Sequence, residues 1–193
     1  GDPFDKMWDP DWLEKIATAI LPDGNDNPDY NLSLAKDYVL DRISSIVGRY
    51  KSNGGTEVSY IDEWDFCNES WHGNWYVDTF GYSGFREFIS AAINANPNVQ
   101  LWVNDFGLLS SNTDIEEFKT HIEILIQQQM PVYGIGLQGH FGGERIVSEK
   151  EILDNLNVIS SFNKPIKITE FDMGASDSTE WMKSVGLENL YRA

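Results

Sequence analysis

The sequence predicts an α/β fold in which parallel strands are joined by helical crossovers, and three observations carry that prediction. Short apolar runs of strand length alternate with longer segments whose apolar residues recur at helical spacing. Four such strand-and-helix units follow an opening helix at a spacing of roughly 30 to 36 residues, which is what a parallel pair with a helical crossover requires. Each strand run closes on polar residues: Asn68-Glu69, Asn104-Asp105, Gln138 with His140, and Glu170 with Asp172.

Taken in order, Asp9-Pro10 reads as an N-cap followed by proline at the first helical position, opening a helix through about Ile20. Pro22 to Pro28 is a loop. From Leu32, the apolar positions Val39, Ile43, Ile46, Val47 and Tyr50 predict an amphipathic helix that ends near Lys51, before Ser52-Asn53-Gly54-Gly55. A strand spans roughly Ile61 to Asn68. A loop rich in Trp, His and Gly, Ser70 to Ser83, leads to a helix with Phe85, Phe88, Ile89, Ala92 and Ile93 on its apolar face, ended by Pro97. Val99 to Val103 is the next strand, and Ile115, Phe118, Ile122, Leu125 and Ile126 mark the helix after it. Tyr133 to Leu137 is a third strand. Ser148 and Glu151 form a capping box ahead of Ile152, Leu156 and Ile159. Ile166 to Asp172 alternates with period two, which predicts a buried strand with Ile168, Glu170 and Asp172 on one face and Thr169 and Phe171 on the other; a strand that frays into a solvated loop, with Glu170 at the surface, is the competing reading. The chain closes in a helix over Leu187 to Ala193.

At 193 residues and 41% apolar, with seven Trp and ten Phe, the chain can bury one sizeable core and reads as one domain, 1–193. Its formal charge of −17 argues against nucleic acid or an anionic membrane as partner, and suits a neutral substrate. The single cysteine, Cys67, reads as a small core residue and leaves the redox compartment open. No run has the length of a membrane span, and no signal peptide is visible. Opening on Gly1 instead of Met, the chain reads as a processed or excised piece.

In parallel α/β architectures the carboxyl ends of the strands share one rim, so the four polar strand ends are expected to converge. Two carboxylates facing each other there, with a histidine and amides between them, are the equipment for hydrolysing a glycosidic bond. One acid donates to the leaving oxygen while the other attacks or activates water. Trp71, Trp75 and Trp102 lie near these ends, where indoles can stack on the C–H faces of sugars; core packing is the competing explanation, strongest for Trp102. His72, His121 and His140 have no spacing that supports a metal site, and no cofactor is expected. Asn68-Glu69-Ser70 matches a glycosylation acceptor formally, but its place at a strand end makes that a chance match.

Four motifs in order, Trp64-Asp65-Phe66-Cys67-Asn68-Glu69, Leu101-Trp102-Val103-Asn104-Asp105-Phe106, Gly134-Ile135-Gly136-Leu137-Gln138-Gly139-His140 and Ile168-Thr169-Glu170-Phe171-Asp172, resemble successive strands of glycoside hydrolase family 10, as does Val47-Gly48-Arg49-Tyr50 before them. The resemblance covers residues 8 to 193. It implies a (β/α)8 TIM barrel, present here as a partial barrel of about four parallel βα units, and a retaining endo-1,4-β-xylanase acting on xylan. By matching positions it implies Glu69 as general acid/base and Glu170 as nucleophile, with His140 bonded to the nucleophile and Asp172 fixing its tautomer. It further implies Asn68 on the sugar 2-hydroxyl, Gln138 at the cleavage point, and Asp65, Asn104 and Asp105 supporting the acid/base; Trp71 and Trp75 are the indoles expected at the substrate. Secretion to an extracellular or periplasmic location is implied too.

The resemblance also marks departures. A complete barrel has eight strands and about 250 residues; the early strands, with the lysine, histidine and tryptophan that hold the glycone, and the last strand with its tryptophan lid are not in this sequence. Further segments of the same polypeptide are therefore expected partners. The alternatives are a carbohydrate-binding remnant without hydrolysis and a related barrel hydrolase acting on another β-glucan. The long stretch from Ser52 to Ser59 has no assigned role.

Overall fold

The computed structural model describes residues 11–19, 21–22, 24–51, 60–73, 75–141, 146–173 and 180–192. Asp9-Pro10, Ile20 and the 52–59 stretch lie outside these residues, as does the side chain of Cys67. The chain divides into two compact units, residues 1–64 with 73–99 and residues 65–72 with 100–193.

Among its described residues the first unit holds the helices α1 (Asp11–Ala17), α2 (Leu32–Arg49) and α3 (Trp75–Ala95). Asn31 caps α2 by accepting from the Leu34 N–H at 3.0 Å, which satisfies one of the orphan donors of the first turn. The face of α2 carrying Ala35, Val39 and Val47 is buried, as is the face of α3 carrying Phe85, Phe88, Ile89 and Ala92, and the two helices pack together. The buried amide of Asn27 ties the intervening loop to α1 by donating to the carbonyls of Lys15 and Thr18.

The predicted 70–83 loop is corrected here, because the chain is already helical from Trp75. Gly81, at φ 66° and ψ 171°, breaks the helix and lets it restart. An aromatic cluster supports that first turn: the Trp75 ring meets Phe80 at 5.8 Å, and Phe80 and Tyr76 meet Phe88 at 5.3 and 6.1 Å. Composition alone reads as loop because the helix-breaking glycine stands in the middle of the segment.

In the second unit β1 (Glu63–Asn68, from Asp65 onward), β2 (Gln100–Asp105), β3 (Gly134–Leu137) and β5 (Ile166–Ile168) form a sheet in the order β1-β2-β3-β5, with β4 (His140–Phe141) and β6 (Asp172–Met173) as a separate parallel pair. Helices α4 (Asn112–Gln127), α5 (Glu149–Ser160) and α6 (Glu180–Arg192) complete it. β2 and β3 are parallel, as are β3 and β5, with Trp102 opposite Gly134 and Asn104 opposite Gly136, which is itself opposite Lys167. The alternate residues Leu101, Val103, Ile135 and Leu137 are buried, with Phe118, Ile122 and Leu125 of α4 and Ile152 and Ile159 of α5. α4 is capped by Ser111, and the capping box of Ser148 and Glu151 is present at α5.

Several boundaries differ from the sequence reading. Asn104 and Asp105 lie inside β2, and Tyr133 lies before β3 with its ring exposed. Ile126 is 41% exposed and is not part of the core face of α4. α6 starts at Glu180, ahead of the predicted Leu187. The expected buried strand over 166–172 is also corrected: the ladder ends at Ile168, which is 41% exposed, and Glu170 and Asp172 are exposed. The physical reason is position, since among the described residues β5 is last in the strand order and has a sheet neighbour on one side only.

Candidate active site

The polar strand ends converge within the second unit. The peptide of Glu69 donates to the Asn104 carbonyl at 2.7 Å, that of Gln138 to Asp105 at 3.0 Å, and that of Glu170 to Gln138 at 2.8 Å. Neighbouring strands thus hold one another in register through the residues that end them. Side chains continue the pattern. Gln138 Nε2 donates to Glu69 Oε1 at 2.9 Å and to Asn68 Oδ1 at 3.2 Å. Asn104 Nδ2 donates at 2.8 Å both to Asn68 Oδ1 and to Glu170 Oε1. A chain of amides, Gln138, Asn68 and Asn104, therefore connects the two carboxylates.

On its other side Glu170 faces His140, with Nε2 3.4 Å from Oε2, and His140 Nδ1 lies 3.0 Å from Asp172 Oδ2. β4 and β6 bring these about, since His140 stands opposite Asp172 in their parallel register. Asp65 has its carboxyl pushed above the ordinary range, first by desolvation and then by the negative charge of Glu170.

Asp105 is fully buried. Its Oδ1 lies 2.5 Å from His72 Nδ1 and accepts from the Phe106 N–H, while Oδ2 accepts from the Trp71 N–H at 3.0 Å. Burial raises its pKa, and these contacts, His72 foremost, pull it part of the way back. The His72 ring is stacked on Phe106 at 3.7 Å and meets Trp71 edge-on at 4.0 Å. Asp105 thereby anchors the loop that follows Glu69. Beneath the same loop, Ser70 Oγ lies 3.0 Å from His121 Nε2, and burial lowers the His121 pKa to about 4.

Glu69, Glu170, His140, Asp172, Asn68, Gln138, Asn104, Asp105 and Trp71 all lie in this unit, whereas Trp75 lies in the first unit, in α3. Asn104 contacts the predicted nucleophile as well as the predicted acid/base side, and the charge felt by Asp65 is that of Glu170. Trp102 is core, 3% exposed, packed over Gly134 with the Lys167 ammonium 4.2 Å from its ring centre. Two participants were not legible in advance. Thr169 donates to Asn104 Oδ1 at 2.8 Å, and strand alternation had placed it on the opposite face from Glu170. His72 pairs with Asp105, but no spacing links a loop histidine to an acid 33 residues away.

Residues 6–192 match the model of glycosyl hydrolase family 10. The chain belongs to this family. Glycosyl hydrolase family 10 proteins are (β/α)8 barrels, and the parallel sheet with its helices is a part of one. Among curated relatives, the anti-sigma-I factor RsgI6 of Acetivibrio thermocellus is 30% identical over 187 residues, covering 96% of this chain and 21% of its own length. Endo-1,4-beta-xylanase 3 of Hypocrea jecorina is 27% identical over 162 residues, covering 80% of this chain and 44% of its own. The chain therefore spans less than half the length of these relatives. Among solved structures, intracellular xylanase TsXylA of Thermoanaerobacterium saccharolyticum, as the complex of a mutant with xylotriose, superposes with a TM-score of 0.73 at 19% identity over 94% of this chain and 56% of its own. Xylanase 10B of Thermotoga maritima gives 0.68 at 23% identity over 84% and 50%. These likenesses carry the fold. No helix among the described residues is long and apolar enough to cross a membrane.

Proposed function

We propose that residues 1–193 are part of the catalytic domain of a retaining endo-1,4-β-xylanase, with further segments of the polypeptide completing the substrate cradle. The supporting observation is the amide chain between the carboxylates, Glu69–Gln138–Asn68–Asn104–Glu170, which holds two acids at one rim in different surroundings.

In the first step Glu170 attacks the anomeric carbon as Glu69 protonates the glycosidic oxygen; the C–O bond to the leaving sugar breaks and a glycosyl ester on Glu170 forms. In the second, Glu69 takes a proton from water, the water oxygen bonds to the anomeric carbon, and Glu170 leaves as carboxylate. His140, between Glu170 and Asp172, is assigned to orient the nucleophile, with Asp172 holding the ring from the other side. Asn68 is assigned to the 2-hydroxyl of the attacked sugar, Gln138 to the cleavage point, and Trp71 to sugar stacking. Asp105 supports the loop after Glu69. Xylan as substrate rests on the relatives named xylanases, and secretion is proposed on the family resemblance alone.

A second reading is favoured by one observation: RsgI6, a relative that matches almost the whole chain, is named as an anti-sigma factor. Under that reading the rim binds polysaccharide without turning it over. Reducing-sugar release from xylan and from cellulose by the complete gene product separates the readings, with a 2,4-dinitrophenyl β-xylobioside as a second substrate. Release from xylan is expected. Glu69→Ala should still cleave the dinitrophenyl substrate, whose leaving group needs no proton, while Glu170→Ala should cleave neither. Xylan binding without sugar release by the parent protein favours the second reading, release from cellulose alone favours a related β-glucanase, and full activity of Glu170→Ala sinks the nucleophile assignment.

A further inference from the structure

We infer that Thr169 and Gly136 fix the orientation of the Asn104 amide and, through it, the position of the nucleophilic carboxylate; this rests on the assignment of Glu170 proposed above. Asn104 is fully buried, so every polar atom it carries needs a partner. Its Nδ2 serves two acceptors at 2.8 Å, Glu170 Oε1 and Asn68 Oδ1, one for each amide proton. Turned over, the amide would present an oxygen to both of those oxygens. Thr169 Oγ1, donating to Asn104 Oδ1 at 2.8 Å, stabilises the observed orientation from the opposite end.

The hydroxyl matters most when the charge on Glu170 is absent. As a carboxylate, Glu170 itself holds an N–H toward it. As a glycosyl ester it exerts a much weaker pull, and the Thr169 hydroxyl is then what keeps the donor aimed at the oxygens that must receive negative charge again when the ester breaks. Gly136 supplies the space. It stands opposite Asn104 in the parallel register, and a Cβ built on it would lie 2.5 Å from Asn104 Oδ1 and 3.0 Å from Cγ. Any side chain there must displace the amide. The backbone of β3 and the residue following β5 thus clamp one side chain of β2, and the same clamp holds Asn68 in place beside Glu69.

The test compares Thr169→Val, Thr169→Ser and Gly136→Ala in the complete gene product, using kcat and KM on the dinitrophenyl xylobioside and solvent exchange of the Asn104 side-chain amide protons by NMR. Thr169→Val, verified as folded by its unfolding transition, should lower kcat about tenfold or more. KM should fall alongside kcat, leaving kcat/KM within about threefold of the parent, because breakdown of the ester limits turnover of this substrate. Amide exchange should be faster in Thr169→Val and in Gly136→Ala, and Thr169→Ser should restore both readouts. Parent-like kcat and exchange in folded Thr169→Val overturn the inference, and so does a Thr169→Ser variant that loses as much as Thr169→Val, since packing of the methyl group would then be the cause. Exchange reads the orientation without turnover. If Glu170→Ala is inactive while Thr169→Val is fully active, only this inference fails; if Glu170→Ala is active, the assignment beneath it fails.

Discussion

Gln138 and Glu69 stand 69 residues apart in sequence, yet Gln138 Nε2 lies 2.9 Å from Glu69 Oε1, so a nearly fully buried amide on one strand end steadies a carboxylate on another. Removing the amide while keeping the volume isolates that contact. A hydrogen bond to a charged group contributes about 1.5–3 kcal/mol, which converts to roughly tenfold to a hundredfold in rate. Gln138→Leu is expected to lower kcat/KM on xylan by about that factor. The loss on a dinitrophenyl glycoside should be smaller, because Glu69 has no proton to deliver there. Equal losses on both substrates would assign Gln138 to sugar binding alone.

Asp172 invites a smaller expectation. Its carboxylate lies 3.0 Å from His140 Nδ1, but its side chain is 65% exposed, so solvent screens much of the pair's energy. Asp172→Asn should reduce kcat by only about three- to tenfold, with the deficit shrinking as ionic strength weakens the same pair in the parent. Steady-state kinetics on xylan at two salt concentrations would show it. A loss as large as that of Glu170→Ala would mean that Asp172 has a direct role in bond making.

His121 predicts how stability depends on pH. Burial lowers its folded pKa from 6.5 to about 4, so the unfolded chain takes up the proton first as pH falls. Its contribution is fully present above pH 6.5 and is lost as pH drops toward 4, amounting to about 3 kcal/mol over that window. Urea unfolding at intervals from pH 7 to pH 4 should show the decline, and His121→Gln, which keeps an acceptor for the Ser70 hydroxyl, should flatten this component. An unchanged pH dependence in the variant would show that His121 titrates alike in both states.

The order of helices and strands was legible because each is written locally, as periodicity and caps. Phe118, Ile122 and Leu125 announce their helix, and Ser148 with Glu151 announces the next. The convergence of the strand ends was legible from their polar termini. What could not be read was anything set by register between strands. Asn104 stands opposite Gly136, and Thr169 reaches Asn104, only because β2, β3 and β5 are neighbours in one parallel alignment. The period-two reading of 166–172 failed for a related cause: it assumed one regular strand to Asp172, whereas β5 ends at Ile168 and Asp172 pairs with β4. Trp75 was misread as loop because Gly81, which interrupts α3, dominates the composition of that segment.

Glu69 has a φ of 58°, a left-handed backbone region that costs an L-residue about 1–2 kcal/mol and costs glycine almost nothing. The side chain assigned to proton transfer is thus maintained against the local preference of its own peptide. Exchange of Glu69 for glycine is consequently expected to relieve this local cost while removing the proposed acid.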